Sequence, residues 1–111
     1  LKNIEHLFSN EHFEFSHHDV SKFVHVPGEL DYILHFASPA SPIDYLKIPL
    51  ETLRVGSLGT ENVLSVAIEN NVKKIIALST DKAANPINLY GATKLYVFRI
   101  EKYSNTASLF Y

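Results

Sequence analysis

Two compact apolar runs, Asp31–Ala37 (DYILHFA) and Lys74–Ser79 (KIIALS), bracket a longer stretch of helical periodicity. This alternation constrains the fold more than any other feature. Short apolar runs bounded by turn residues read as buried strands, and Pro27-Gly28 and Ser38-Pro39 bound the first of them. From about Leu50 to Asn70 the apolar residues recur with a helical period. Leu50, Leu53, Leu58, Val63, Leu64, Val66 and Ala67 form one broad face. Gly56 and Gly59 fall inside this stretch and weaken it by about 1 kcal/mol each relative to alanine. Small residues there let another backbone come close. Asn70-Asn71 reads as the helix stop. Leu89–Asn105 reads as a second long helix, with Leu89, Ala92, Leu95, Tyr96, Ile100 and Tyr103 on one side.

Three further segments complete the pattern. Phe13–His17 (FEFSH) alternates in apolar character and reads as a short strand. Thr106–Tyr111 reads as the start of another. Pro39, Pro42 and Pro49 prevent a continuous helix after Asp31–Ala37. Strands alternating with long amphipathic helices define β-α-β units and a parallel sheet. Ligands of such sheets bind outside the C-terminal ends of the strands. Asp19, Phe36 to Ser38, and Ser79 to Lys82 therefore become the residues of interest.

Composition narrows the function classes. The 111 residues suit one domain, and 46% hydrophobic content excludes a disordered chain. Ten basic residues against twelve acidic ones give no basic excess for nucleic acid or an anionic membrane surface. The absence of cysteine excludes disulfides and thiol catalysis. No run approaches the ~20 apolar residues that span a bilayer, so a soluble cytosolic protein is the default expectation. No metal site is expected, because His17 and His18 on a strand would face opposite sides. His35, inside a strand, reads as a packed residue with one hydrogen bond.

The sharpest local motif is Tyr90-Gly91-Ala92-Thr93-Lys94 at a helix start. A spacing of four places both side chains on one helix face. A free tyrosine ionises near pH 10, and a neighbouring ammonium favours the phenolate. Such a pair makes a tyrosine usable as an acid or base, although the spacing alone also arises by chance. Ser79-Thr80 ends a strand upstream, and Asp81 and Lys82 follow at once. A carboxyl beside an amine supplies a proton donor and acceptor.

Ser79-Thr80 followed by Tyr90-x-x-x-Lys94 resembles the extended short-chain dehydrogenase/reductase family of nucleotide-sugar epimerases, dehydratases and decarboxylases. Residues 3–60 are similar to UDP-glucuronate decarboxylase, on His18-Asp19-Val20, Leu34–Pro42 and Gly59-Thr60. Residues 61–105 are similar to the UDP-N-acetylglucosamine 4,6-dehydratases of polysaccharide biosynthesis, on Ala77–Pro86 running into Tyr90–Lys94. The resemblance implies an α/β fold, a partial Rossmann-like doubly wound parallel sheet, and NAD or NADP as cofactor. It implies that Asp19 and Val20 meet the adenine, and that Phe36, Ala37 and Ser38 pack on the cofactor ribose and pyrophosphate. It implies that Thr80 orients the sugar 4-position and that Tyr90 takes the 4-hydroxyl proton. It implies that Lys94 holds the nicotinamide ribose and lowers the tyrosine pKa. Asp81 and Lys82 match the pair that removes the C5 proton and expels the C6 hydroxyl, and Arg54 matches a basic residue near the substrate.

The chain departs from the family in two places. Val55 and Gly56 replace the usual Thr-Asn or Asn-Val. The Gly-x-x-Gly-x-x-Gly turn is not among the four glycines Gly28, Gly56, Gly59 and Gly91. Residues 1–111 are thus expected to be one fragment of an NAD(P)-binding domain, without the first β-α-β unit and the C-terminal substrate domain. Three readings stay open: a UDP-sugar dehydratase, a UDP-glucuronate decarboxylase, and an inactive remnant or binding module. A homo-oligomer is compatible with each.

Overall fold

The structure, a computed structural model, describes residues 1–39, 41–101 and 107–110. Three parallel strands carry the fold in the order β1 (Tyr32–His35), β2 (Lys74–Leu78), β3 (Ala107–Phe110). The register pairs Ile33 with Ile75 and His35 with Ala77, then Ile75 with Ala107 and Leu78 with Phe110. Parallel neighbours require long crossovers. The first contains α1 (Pro42–Lys47), α2 (Pro49–Arg54), a π-helical turn (Val55–Gly59) and α3 (Thr60–Glu69). The second contains a 3-10 turn (Asp81–Ala83) and α4 (Leu89–Glu101). The α/β class and the parallel sheet agree with the sequence pattern. Residues 102–106 and Tyr111, the ends of the expected second helix and last strand, lie outside the described residues.

Pro42 and Pro49 stand at the first turns of α1 and α2, where a missing N–H costs nothing. Asn71 takes a left-handed backbone, φ 50°, just past α3. The Val72 N–H then bonds to Ala67 O at 2.9 Å and the Asn71 N–H to Ile68 O at 3.2 Å. This six-to-one and five-to-two pair closes the helix at the asparagines, as the sequence suggests. Val63, Leu64, Ala67, Val72 and Ile75 form the core, with Leu30 and Ile33 packed against it. The opposite sheet face carries Tyr32 and Leu34, 64% and 61% exposed. Helical cover is therefore seen on one face of the sheet among the described residues.

Three expectations are corrected. Phe13–His17 is not a strand. A strand exists through ladder bonds to a neighbour, and none is formed here. Phe13 and Phe15 instead pack edge-on against Phe8, each at 5.9 Å between centroids. Leu50, Leu53 and Leu58 are exposed, not buried. The buried stripe runs through Thr52, Gly56, Thr60, Val63 and Ala67, because close approach to α4 selects small side chains over large apolar ones. On α4 the buried residues are Tyr90, Thr93, Lys94 and Val97, while Ala92 is exposed. Lys94 turns inward to the end of β2, Thr93 to Gly56 and Tyr90 to Tyr45.

Candidate active site

The site is built where β2 ends and α4 begins. Thr80 caps the 3-10 turn that follows β2. Its hydroxyl donates to Asp81 Oδ1 at 3.0 Å and accepts from the Lys82 N–H at 3.4 Å. Lys82 Nζ lies 3.8 Å from Asp81 Oδ1, and both side chains are open to solvent. The Thr80 hydroxyl bond, followed by the Lys82 ammonium, holds the Asp81 carboxyl below its ordinary pKa. The pair is thus a carboxylate beside an ammonium.

Asn88 starts α4. Its Oδ1 accepts the Gly91 N–H at 2.8 Å, satisfying one free donor of the first turn. Gly91 lies so close to the preceding loop that a Cβ would stand 2.6 Å from Lys82 O. That contact fixes Lys82 beside the Tyr90 turn. Tyr90 and Lys94 are both buried on one face, as the spacing requires. Lys94 Nζ donates to Leu78 O at 2.9 Å and lies 5.7 Å from the Tyr90 ring centroid.

The tyrosine differs from expectation. Its pKa is raised, first by burial and then by Tyr45, whose ring stacks on it. Tyr90 is therefore neutral in this structure. Two neighbours had no local sequence signal. Tyr45 comes from α1, and His35 from β1. His35 Nε2 lies 3.1 Å from Thr60 Oγ1, and Thr60 Oγ1 donates to Gly56 O at 3.0 Å. The threonine proton is already used, so His35 donates from Nε2. Burial, then the Lys94 charge, pushes the His35 pKa down to about 4. This buried, singly bonded histidine matches the sequence reading. Ser79 Oγ is buried without a hydrogen-bond partner among the described residues.

A second cluster lies apart from this one. Asp19 accepts the Ser21 N–H at 2.9 Å and the Ser21 hydroxyl at 2.8 Å, which lower its pKa. A cavity of about 280 Å³ is lined by Asp19, Ser21, Lys22, Glu51, Arg54, Val55 and Leu58. Arg54 thus sits with Asp19 and not with the Thr80–Tyr90 group. Helical spacing explains it, since Glu51, Arg54, Val55 and Leu58 share one exposed face. Asn62 on α3 holds the Asp19 loop by donating to Val20 O at 2.8 Å and Lys22 O at 2.7 Å. Sequence reasoning missed this clamp, because an asparagine on a helix face carries no signature. Of the β1-end candidates, Phe36 and Ala37 are exposed and Ser38 is half-buried. No group of three His, Cys, Asp or Glu able to hold a metal occurs among the described residues. No helix among them is long and apolar enough to cross a membrane.

A parallel sheet whose strand ends meet a Tyr-x-x-x-Lys helix defines a Rossmann-like protein of the short-chain dehydrogenase/reductase class. A family model described as polysaccharide biosynthesis protein matches residues 17–108. The chain belongs to that family, within the extended short-chain dehydrogenase/reductases. It is 48% identical over 68 residues to the inverting UDP-N-acetylglucosamine 4,6-dehydratase of Campylobacter jejuni, covering 60% of this chain and 20% of that protein. It is 35% identical over 85 residues to UDP-glucuronic acid decarboxylase 1 of Danio rerio, covering 77% and 20%. It is 38% identical over 89 residues to UDP-glucose 4-epimerase of Rickettsia canadensis, covering 78% and 26%. The solved structure of Pen from Bacillus thuringiensis matches with a TM-score of 0.61 and 33% identity, over 70% of this chain and 26% of that one. The chain spans about a fifth to a quarter of the length of these relatives.

Proposed function

We propose that this chain is the part of an NAD(P)-binding domain that carries the catalytic residues of a cytoplasmic UDP-N-acetylglucosamine-type 4,6-dehydratase. The observation that carries this reading is the Asp81–Lys82 pair, exposed at the strand end and fixed beside the Tyr90 turn. The similarity to the Campylobacter jejuni dehydratase supports it.

The chain's residues fit a dinucleotide on two counts. The Ser79 hydroxyl is buried at the strand end without a partner among the described residues, and the cavity beside Asp19 is lined by the polar side chains of Asp19, Ser21, Lys22, Glu51 and Arg54. Asp19, Val20 and Phe36 to Ser38 would line the adenine and ribose path, and Lys94 would hold the nicotinamide ribose. A bound nicotinamide supplies the two-electron acceptor and donor for sugar C4.

The remaining work falls to this chain. Thr80 orients the 4-hydroxyl, and Tyr90 takes its proton. Tyr90 starts neutral, so a positive charge must favour its phenolate, and Lys94, whose Nζ lies 5.7 Å from the ring centroid, would provide it. Oxidation at C4 makes the C5 proton acidic. The Asp81 carboxylate is the group able to accept that proton. The Lys82 ammonium is the group able to protonate the departing C6 hydroxyl. Arg54, beside Asp19, would contact the nucleotide end of the ligands.

A decarboxylase shares the C4 oxidation, and similarity to the Danio rerio enzyme over 77% of the chain favours it as the second reading. Product analysis with UDP-N-acetylglucosamine and UDP-glucuronate separates the two. The dehydratase reading expects a 4-keto-6-deoxy product from the first and none from the second. It also expects Lys82→Ala to abolish water loss while C4 oxidation persists. Pentose formed from UDP-glucuronate alone would overturn it.

A further inference from the structure

α1 has a peculiar composition for a helix of a small domain. It is six residues long, begins with Pro42, has no side-chain cap and buries one residue, Tyr45. Ile43 and Leu46 on either side are 66% and 73% exposed. So short a helix has no internal stability in water. What its geometry accomplishes is the placement of Tyr45 against Tyr90. The two rings are parallel within 6°, with centroids 5.7 Å apart. Offset stacking of this kind is the arrangement that aromatic quadrupoles favour.

We propose that Tyr45 is a positioning residue for Tyr90, its ring fixing the plane in which the Tyr90 hydroxyl meets the substrate. This rests on the reading of Tyr90 as the proton acceptor. The phenol hydroxyl lies in the plane of its ring, so a ring free to turn would carry the hydroxyl's hydrogen-bonding directions with it. The stack blocks one face and removes that freedom. It also keeps water from that face, in keeping with the raised pKa of Tyr90. The titratable groups facing Tyr90 are Tyr45 from α1 and Lys94 from its own helix. Asp81 and Lys82, on the turn packed against α4, are exposed. Neither the Tyr-x-x-x-Lys spacing nor the strand-end rule points to residue 45.

The test uses ¹³Cζ-tyrosine NMR on the whole chain, with the Tyr90 signal assigned by its loss in Tyr90→Phe. Tyr45→Phe keeps the flat face, so Tyr90 should keep its ring contacts to residue 45 and the part of its raised pKa that comes from burial, losing only the part due to the Tyr45 hydroxyl. Tyr45→Ala opens that face to water, and the Tyr90 pKa should fall toward the free value near 10. With UDP-N-acetylglucosamine, Tyr45→Phe should turn over like wild type across the pH profile. Tyr45→Ala should lose about tenfold to a hundredfold in kcat, with a smaller change in KM. An unchanged Tyr90 titration in a folded Tyr45→Ala overturns the proposal. If that variant does not fold, Tyr45→Leu keeps apolar volume without a flat face, and equal kcat in the Leu and Phe variants overturns it. Unfolding of both Ala and Leu variants makes Tyr45 a plain core residue and likewise rejects the role. If wild type shows no turnover while the titrations shift as stated, phenol positioning stands and the catalytic reading fails.

Discussion

Gly56 meets Thr93 so closely that a Cβ on the glycine would stand 2.5 Å from Thr93 Cβ. The contact joins the π-helical turn to the residue just before Lys94 in the Tyr90–Lys94 motif. Thr93 is itself fixed, since its hydroxyl donates to Tyr90 O at 2.8 Å. The family pattern has a side chain at position 56, and here the space is filled from α4 instead.

Gly56→Ala should therefore destabilise the chain, although alanine is the better helix former. Propensity gains about 1 kcal/mol, while overpacking a tight site costs about 1–3 kcal/mol and pushes α4 outward. Thermal unfolding of Gly56→Ala should fall below wild type. Gly56→Ala combined with Thr93→Ser, which removes the methyl at 3.0 Å but keeps the Cβ at 2.5 Å, should recover little of the loss. A Gly56→Ala chain as stable as wild type would show that α4 moves freely.

The strand-helix alternation was legible because apolar runs and turn residues are local signals. The faces of the helices were not, and the reason is physical. Thr52, Thr60, Thr93 and Lys94 are all nearly fully buried, so the buried stripe is small and polar where two helices and a strand end converge. Counting apolar residues instead selects Leu50 and Leu53, which lie in solvent. The same distinction divides the site. Thr80, Asp81, Tyr90 and Lys94 are neighbours through a strand end and one helical turn. Tyr45 and His35 join them only through tertiary packing, Asn62 reaches the separate Asp19 loop in the same way, and the upward shift of the Tyr90 pKa has that origin too.

Ser79 Oγ is buried with no partner among the described residues, which is a costly arrangement for a polar atom. Leaving it unpaired costs about 1–3 kcal/mol. Ser79→Ala removes the orphan group with almost no change of volume, so the chain should gain stability or stay level. Binding of a nicotinamide cofactor should weaken in the same variant if the hydroxyl is the partner held for it. Calorimetric titration beside thermal unfolding reads both effects. A marked loss of stability would mean that the hydroxyl has an internal partner.

Asn62 holds the 19–22 loop through two carbonyls, Val20 O and Lys22 O. A hydrogen bond of this kind contributes about 1 kcal/mol net, so the pair is worth on the order of 2 kcal/mol. Asn62→Ala should loosen the loop while α3 persists. Amide hydrogen exchange should accelerate at residues 20–22 by tenfold or more and stay level at Val66 and Ala67. Exchange that accelerates equally along α3 would show a global loss of stability instead.

His35 gives the fold a defined acid sensitivity. Its folded pKa is about 4, below the unfolded value of 6.5, because burial and the Lys94 charge oppose protonation. The neutral ring also donates to Thr60, so the native state keeps its network without a second proton. The unfolded chain takes up that proton first as pH falls. The stabilising contribution is complete above about pH 6.5, declines between 6.5 and about 4, and changes no further below. Its size is on the order of 3 kcal/mol. His35→Gln retains an N–H donor toward Thr60 but cannot titrate. Urea unfolding of wild type and His35→Gln at pH 7.5, 5.5 and 4 should therefore converge as acid is added, the wild type losing more of its stability. Parallel curves across that range would place the proton elsewhere.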